Sequence, residues 1–343
     1  MLRIFHLDAG RKYFSPNAIA SILDTMAGAG LTHLELYFSD NQGFRLALED
    51  MTLRTDFGAY DLTACLGDGY AEGEKSPCGS GRYLTAAEMR QLLRYARVRG
   101  IECIPVLNMP GHMGAVLERF PHLRYPGSRS SIDLRSPEAV AFAMALLQKY
   151  LDFFAAEGCR FFHFGADEFA NDLGAMGFDR IYRDGTMGQF VAFVNGAVQA
   201  ISDRGMIPMA FNDGIYYGGD KTTYGPIDSR LWVCYWIHGW DTYFPASAAM
   251  LAREGFRLVN ANHKFYCGMG CRDWPEREQC MEAYDPRCFD PDTVIPEPAG
   301  AMLCFWSDCG NADGPDGGLR AAESIAPVIR AFGRKMKQYN YAV

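Results

Sequence analysis

The residues best suited to chemistry fall in one stretch, Phe161-Phe162-His163-Phe164-Gly165-Ala166-Asp167-Glu168, where an apolar run ends directly in two adjacent acids. Successive residues of a strand point to opposite faces, so inside a regular strand only one acid would face a common site. At a strand's end both reach it. Crowding and burial drive the pKa values of neighbouring carboxyl groups apart, leaving one protonated to donate while the other stays charged, the division of labour of acid–base catalysis. A pair that caps a helix or forms a salt bridge would be spelled the same way. The two readings separate on whether other functional groups collect at equivalent places.

Such groups do collect. The other apolar runs end at Asp8 and Arg11, at Asp40, at Asn108 with His112, at Asn212 with Asp213, at Trp236, at Tyr266, and at Trp306 with Asp308. One polar residue after a strand is ordinary, because loops are polar; a full ring that includes aromatics is not. The sequence contains no Walker-type phosphate loop, no Gly-x-Ser-x-Gly elbow and no His-Glu-x-x-His helix, which leaves carboxylates to carry the chemistry and calls for no cofactor. His263, Cys267, Cys271, Cys280 and Cys288 form a cluster without the paired C-x₂-C units of structural zinc sites, and no metal is expected. Cys103, Cys159, Cys234 and Cys304 lie in or beside strands and suit small core positions.

The elements that must position these groups alternate along the chain. Strand-like runs are predicted at residues 2–8, 32–38, 102–109, 161–168, 207–213, 231–236, 257–262 and 301–307. Helices lie between them. Ser15 and Pro16 open one that Gly30 stops; Thr85 and Glu88 make a capping box for another. Ser136-Pro137 opens a long helix with the stripe Val140, Met144, Leu147, Leu151 and Phe154, residues 187–204 and 246–254 are helical, and Ile325, Val328, Ile329, Phe332 and Met336 mark a closing helix. Eight strands with helices after most of them predict an α/β fold, a single (β/α)₈ TIM barrel over residues 1–343 with long βα loops and its active site at the C-terminal strand ends. A doubly wound open sheet is the alternative, but Asp8-Ala9-Gly10-Arg11 is not the glycine loop it would carry after strand one.

Composition narrows the class. The 343 residues carry 33 Lys plus Arg against 41 Asp plus Glu, a formal charge of −8, which argues against a nucleic-acid partner. Even the apolar stretch from Val140 to Phe154 is broken by Gln148, Lys149 and Asp152, so no membrane span is expected. The start of the sequence does not resemble a signal peptide, and an odd count of 11 cysteines fits reduced thiols and a cytoplasmic location.

The strand-end segments resemble family 20 glycoside hydrolases, the β-N-acetylhexosaminidases, and within them a streptococcal subgroup of exo-β-N-acetylglucosaminidases. The similarity runs from about Arg3 to Phe332, carried by Asp8-Ala9-Gly10-Arg11-Lys12-Tyr13-Phe14, Asn108-Met109-Pro110-Gly111-His112-Met113, Phe164 to Asp172, and Pro208-Met209-Ala210-Phe211-Asn212-Asp213-Gly214. Tyr235-Trp236 with Gly239-Trp240, and Phe305-Trp306-Ser307-Asp308, add to it. The resemblance implies a retaining hydrolysis of terminal β-linked N-acetylglucosamine in which the substrate's own 2-acetamido oxygen attacks the anomeric carbon. It implies Glu168 as general acid and base, Asp167 as the holder of the acetamido N–H, and Asp40 with His112 as a relay to Glu168. Arg11 would bind the sugar's 3- and 4-hydroxyls, Tyr266 the acetamido carbonyl, and Trp236 and Trp306 would wall the pocket, with Asp308, Asn108, Asn212 and Asp213 also on the substrate side. Many relatives have Asp at Asn108 and Asn41, Gly at Ala166, Trp at Phe211, and an acid at Gly268. The partner expected is a GlcNAc-terminated glycan, and a homodimer is compatible with the long loops. Release of a disaccharide, as by a lacto-N-biosidase, and sugar binding without catalysis are the rivals.

Overall fold

All eight apolar runs become parallel strands in the computed structural model: β1 Leu2–Asp8, β2 His33–Asp40, β3 Glu102–Met109, β4 Phe161–Gly165, β5 Ile207–Phe211, β6 Trp232–Tyr235, β7 Arg257–Asn260 and β8 Gly300–Trp306. The structure describes residues 1–69, 81–173, 177–240, 242–268, 278–290, 293–307 and 316–339. Each strand pairs with the next in chain order, and β1 pairs with both β2 and β8, Ile4 opposite His33 and Leu2 opposite Gly300. That closure makes the sheet a barrel and excludes the open-sheet alternative.

Strand alternation separates two cores. Leu2 and Ile4 of β1 join Ile104, Met209, Val259 and Met302 inside the barrel, while Phe5 and Leu7 belong to the larger layer between strands and helices. Above the apolar floor the inward row turns polar: His6, Asp8, Glu35, Asn108 and His163 are all fully buried. The predicted cysteines Cys103, Cys159, Cys234 and Cys304 are buried thiols.

The helices follow their sequence signals. In α1, Pro16–Ala29, the Ser15 hydroxyl accepts from the Ala18 N–H and Gly30 closes the helix at φ 80°. In α2, Ala86–Val98, Thr85 and Glu88 form the reciprocal capping box. Helix α3, Pro137–Ala156, corrects the predicted stripe: Val140 and Met144 are only half-buried, and the buried face is Phe142, Leu146, Tyr150 and Phe153 together with Leu147, Leu151 and Phe154. By length and composition α3 is apolar enough to cross a membrane, contrary to the sequence expectation, and half of that window is buried inside the protein. Helices α4, Met187–Ser202, α5, Ala248–Arg253, and α6, Leu319–Met336, answer the remaining predicted helices, and two short ones, Gly114–Leu117 and Gly177–Arg183, lie in the loops after β3 and β4. Between β5 and β6 the chain makes only a 3₁₀ turn at Tyr217–Gly219, so one βα unit lacks its helix and the loop there lies close to the site.

Strand β4 stops at Gly165, three residues before the predicted end, because Gly165 at φ 77° and Ala166 at φ 65° turn the chain away from the sheet. Both acids therefore lie on a turn at the barrel mouth.

Candidate active site

The site begins at Asp8. Its Oδ1 accepts from the backbone N–H groups of Gly10 (3.2 Å) and Arg11 (3.0 Å), and its Oδ2 from Arg11 Nη1 (3.0 Å) and the Ser307 N–H (2.9 Å). One carboxylate thus folds the β1 loop, aims Arg11 and ties β1 to β8. The other end of the guanidinium lies 3.3 Å from Asp40 Oδ2, with the Trp306 ring 5.3 Å away. Two buried carboxylates share this cation and part company. Burial acts to raise Asp40, but Arg11, His112 and Tyr37 outweigh it and hold the carboxyl well below the usual range; at Asp8 burial wins and the value rises.

From Asp40 a chain of donors leads to the acids. The Tyr37 hydroxyl donates to Asp40 (2.8 Å) and accepts from Asn108 Nδ2 (3.0 Å), whose second hydrogen goes to Asp167 Oδ1 (2.8 Å). An ionised aspartate at position 108 could donate neither bond and would repel Asp167, so the amide suits this network. The approach is close: a Cβ on Gly165 would lie 1.8 Å from Asn108 Oδ1. His112, at φ 52°, sits with Nδ1 3.1 Å from Asp40 and Nε2 3.3 Å from Glu168 and 3.7 Å from Asp167. Burial opposes its charge, yet Asp167, Asp40 and Glu168 together raise it well above the ordinary histidine range. That cation in turn lowers Glu168 despite burial, whereas Asp167, buried and beside Glu168, is raised.

The turn after β4 is held at every second residue. Ala166, Glu168 and Ala170 all have left-handed φ (65°, 48° and 53°), a conformation costing roughly 1–2 kcal/mol per non-glycine residue. Each of their N–H groups is captured by a different partner: Ala166 by the Met109 carbonyl (3.1 Å), Glu168 by Asp213 Oδ2 (2.8 Å), Ala170 by the Ser131 hydroxyl (2.8 Å). The departure from glycine at Ala166 falls at one of these positions.

Asn212 and Asp213 have other duties than the sugar contacts expected of them. Asn212 is fully buried; its Oδ1 accepts the Trp236 N–H (2.8 Å) and its Nδ2 donates to the Ile237 carbonyl (2.7 Å), pinning the loop after β6. Asp213 is as deeply buried and accepts from Glu168 N–H, from Trp236 Nε1 (3.0 Å) and from the Tyr243 hydroxyl, which leaves neither oxygen facing the pocket. Burial and the nearby Asp167 push it up to about 7. Both amide hydrogens of Asn108 are likewise spent within the protein, while its Oδ1 is buried without a partner among the described residues.

Arg11, Asp167, Glu168, Phe211, Trp236, Tyr266 and Trp306 surround a cavity of about 150 Å³. Pockets for drug-sized ligands run to roughly 300–1,000 Å³, so this one is on the scale of a single sugar ring. Trp236 stacks on Tyr266 (6.3 Å, 14°), Tyr266 lies against Trp306 (5.8 Å), and Phe211 lines the cavity 6.2 Å from Trp306. The Tyr266 hydroxyl lies beside the Cys304 thiol. Trp306 Nε1 is a buried donor without a partner among the described residues. Asp308 and Cys271 lie outside the described residues.

Sequence reasoning missed Tyr37, Tyr243 and the buried trio His6, Glu35 and His163. Tyr37 was findable, since it follows Glu35 by two on the inward row of β2. Tyr243 sits on an irregular loop with no periodicity to mark it. Glu35, His163 and Cys234 each offer a ligand atom within 4.8 Å of the others. The Gly165 N–H donates to His163 Nδ1 (3.0 Å), however, which places the ring's proton on Nε2 and removes the lone pair a metal would need there. The arrangement suits a shared proton better: His6 Nδ1 lies 2.7 Å from Glu35, burial pushes Glu35 up to about 7, and both histidines are lowered to about 4.

Comparison with known proteins bears on this geometry. Across 99% of its length the chain superposes, at TM-score 0.86 and 29% identity, on 86% of a family 20 catalytic module from the pneumococcal exo-β-D-N-acetylglucosaminidase. In sequence it is 33% identical over 120 residues to β-hexosaminidase B of Pseudoalteromonas piscicida, and 24% identical over 201 residues to the lacto-N-biosidase of Bifidobacterium bifidum. Those stretches cover 34% and 54% of this chain but only 16% and 17% of the relatives' own lengths, so the chain spans a minor part of each. Residues 2–293, from β1 through the turn that carries Asp167 and Glu168 and on past β7, match the glycosyl hydrolase family 20 catalytic domain, and the chain belongs to that family.

Proposed function

We propose that this chain is an exo-acting β-N-acetylglucosaminidase that removes a terminal, non-reducing β-linked GlcNAc by a retaining, substrate-assisted route. The observation that carries the reading is the placement of Asp167 and Glu168 together on the wall of a one-sugar pocket, with His112 within ion-pair distance of both. Arg11 presents a planar, charged donor suited to adjacent hydroxyls, and the aromatic faces of Trp236 and Trp306 suit the sugar and the acetamido methyl.

In the first step the acetamido oxygen forms its bond to the anomeric carbon as the glycosidic C–O bond breaks, and Glu168 gives its proton to the departing oxygen. Asp167, held by Asn108, accepts the acetamido N–H and balances the positive charge that develops on the oxazolinium ring. In the second step Glu168 takes a proton from water, whose oxygen bonds to the same carbon and opens the ring. With Glu168 lowered and His112 raised, the acid's proton is stored on the imidazole 3.3 Å away. A bound sugar excludes water from the pair. Desolvation then raises the carboxyl and lowers the imidazole, moving the proton to where it is needed.

The deciding assay is release of a chromogenic leaving group from its β-GlcNAc glycoside. Glu168→Gln should lower kcat/KM for a poor leaving group by roughly 10² to 10⁴-fold. No release by the unaltered protein, or undiminished release by Glu168→Gln, would sink the reading, and a disaccharide as first product would redirect it to the lacto-N-biosidase type.

A further inference from the structure

Asp213 is an anion with no cation beside it among the described residues. It is fully buried, and all three groups that donate to it are neutral: the Glu168 N–H at 2.8 Å, Trp236 Nε1 at 3.0 Å and the Tyr243 hydroxyl. The charged groups facing it are themselves acids, Asp167 and Glu168 from the turn after β4. Tyr266 and Tyr217 face it from the loops after β7 and β5. One carboxylate therefore seats the backbone of the proton donor, at a left-handed residue that needs an acceptor for its N–H, and also the indole that walls the sugar pocket.

Three donors converging on one carboxylate suit its ionised form. A protonated Asp213 has a hydrogen of its own to place, and among these three groups only the Tyr243 hydroxyl could accept it, by reversing its bond, since the two N–H groups can only donate. As a donor, Tyr243 favours the anion. It is buried, clamped by reciprocal backbone bonds with Trp240 (3.1 and 2.9 Å), packed against Tyr217 at 5.8 Å, and aimed at the same Oδ2 that takes the Glu168 N–H. Burial raises its own pKa well above the ordinary tyrosine value, so it remains a hydroxyl and a donor.

We propose that Tyr243 is a positioning residue, holding Asp213 as the anion that seats the Glu168 backbone and the Trp236 indole together. The proposal rests on the hydrolase reading above. The sign of the expected effect follows from the pair. Asp213 titrates near neutrality and is needed ionised, so activity falls as pH drops through that range; removing a donor to the anion raises its pKa and moves the fall to higher pH.

The test compares the unaltered protein with Tyr243→Phe, which keeps the ring and loses the hydroxyl. The acid limb of kcat/KM on the chromogenic GlcNAc glycoside should move up by about one pH unit, since a hydrogen bond to a charged group is worth about that much. At pH 6 this is a loss approaching tenfold, largely recovered by pH 8.5. Thermal unfolding supplies a readout that needs no turnover: the substitution should lower Tm more at pH 8, where Asp213 is charged, than at pH 5, where it is neutral. An active enzyme whose acid limb does not move, or an equal loss of Tm at both pH values, overturns the proposal and assigns Tyr243 to packing alone. Absence of release by the unaltered protein defeats the hydrolase reading instead, and the unfolding pair then decides the Tyr243 proposal by itself.

Discussion

The two sides of the barrel mouth bury aspartates to the same depth and shift their titration in opposite directions. Asp40, on the β1–β4 side, and Asp213, on the β5–β7 side, both have no exposed surface. Asp40 is held far down because Arg11 and His112 stand beside it, whereas Asp213, met only by neutral N–H and O–H groups, is pushed up to about 7. Burial alone therefore does not decide the charge of a carboxylate; the charge of its donors does. One side is built as a proton store, with two cations, Arg11 and His112, among four acids. The other is built as a brace, and its single acid holds backbone and aromatic walls in place.

The strongest way to break this contrast is to remove the charge on the cationic side. Asp40→Asn leaves His112 without its nearest counter-ion on Nδ1 and takes from Arg11 one of the carboxylates beside it. The imidazolium loses its support, its pKa falls, and Glu168 loses the proton store beside it. Turnover of the chromogenic glycoside at pH 7 should drop on the order of 10²-fold, within the usual span of acid–base contributions. Breaking a buried pair on one side should also cost on the order of 3 kcal/mol of stability. Retention of more than a third of the activity would show that Asp167 and Glu168 hold His112 charged by themselves.

Stability as a function of pH sharpens the comparison further. Asp213 has a folded pKa near 7, above its ordinary value, so its ionisation opposes folding; the penalty is absent below about pH 4, grows through the range between, and is complete above 7. Asp40 is depressed, so its stabilising contribution is present above about pH 4 and is lost only as pH falls through its much lower folded value. Asp213→Asn should therefore gain Tm relative to the unaltered protein as pH rises from 5 to 8, by about 1–2 °C per kcal/mol relieved. Asp40→Asn should lose stability at both. The asparagine at 213 turns one acceptor into a donor at either pH, so the test is the change in the Tm difference between the two pH values, read by calorimetry. A difference that does not change with pH would mean that Asp213 is ionised throughout that range.

How much of this was legible beforehand follows the same division. The eight strands, the closure into a barrel and the cluster at the strand ends come from local signals: apolar runs, Ser15 and Thr85 as caps, Gly30 as a stop. The cationic side could be found because Arg11, Asp40, His112, Asp167 and Glu168 sit within a few residues of strand ends. The bracing side could not. Asn212 and Asp213 follow β5 as a sugar-binding pair would, and only tertiary contacts show that their side chains are spent on Trp236, Ile237, Glu168 and Tyr243. No periodicity marks Tyr243, and the left-handed backbone at Glu168 has no signature in residue type, since glutamate is a poor occupant of that region. The misplaced stripe on α3 has a similar origin: the helix is apolar nearly all round, so several faces satisfy a 3.6-residue period and packing selects among them.

The turn from Ala166 to Ala170 joins the two sides, and its outermost tie offers the smallest and most discriminating change. Beyond the turn, Asp172 accepts from the Ser128 hydroxyl (2.7 Å), the Ser130 hydroxyl (2.9 Å) and the Arg129 N–H, which holds residues 128–131 where Ser131 can take the Ala170 N–H. This carboxylate is exposed, so each bond contributes about 0.5–1.5 kcal/mol and water replaces much of what is lost. The two inner ties, Ala166 to Met109 and Glu168 to Asp213, are buried and stay intact. Asp172→Ala should thus cost only a few-fold in kcat/KM, with Tm lowered by about 2 °C or less. A loss as large as that of Asp40→Asn would reverse the ranking. It would mean that the geometry of the turn, and not the charge stored beside it, limits how well Glu168 delivers its proton.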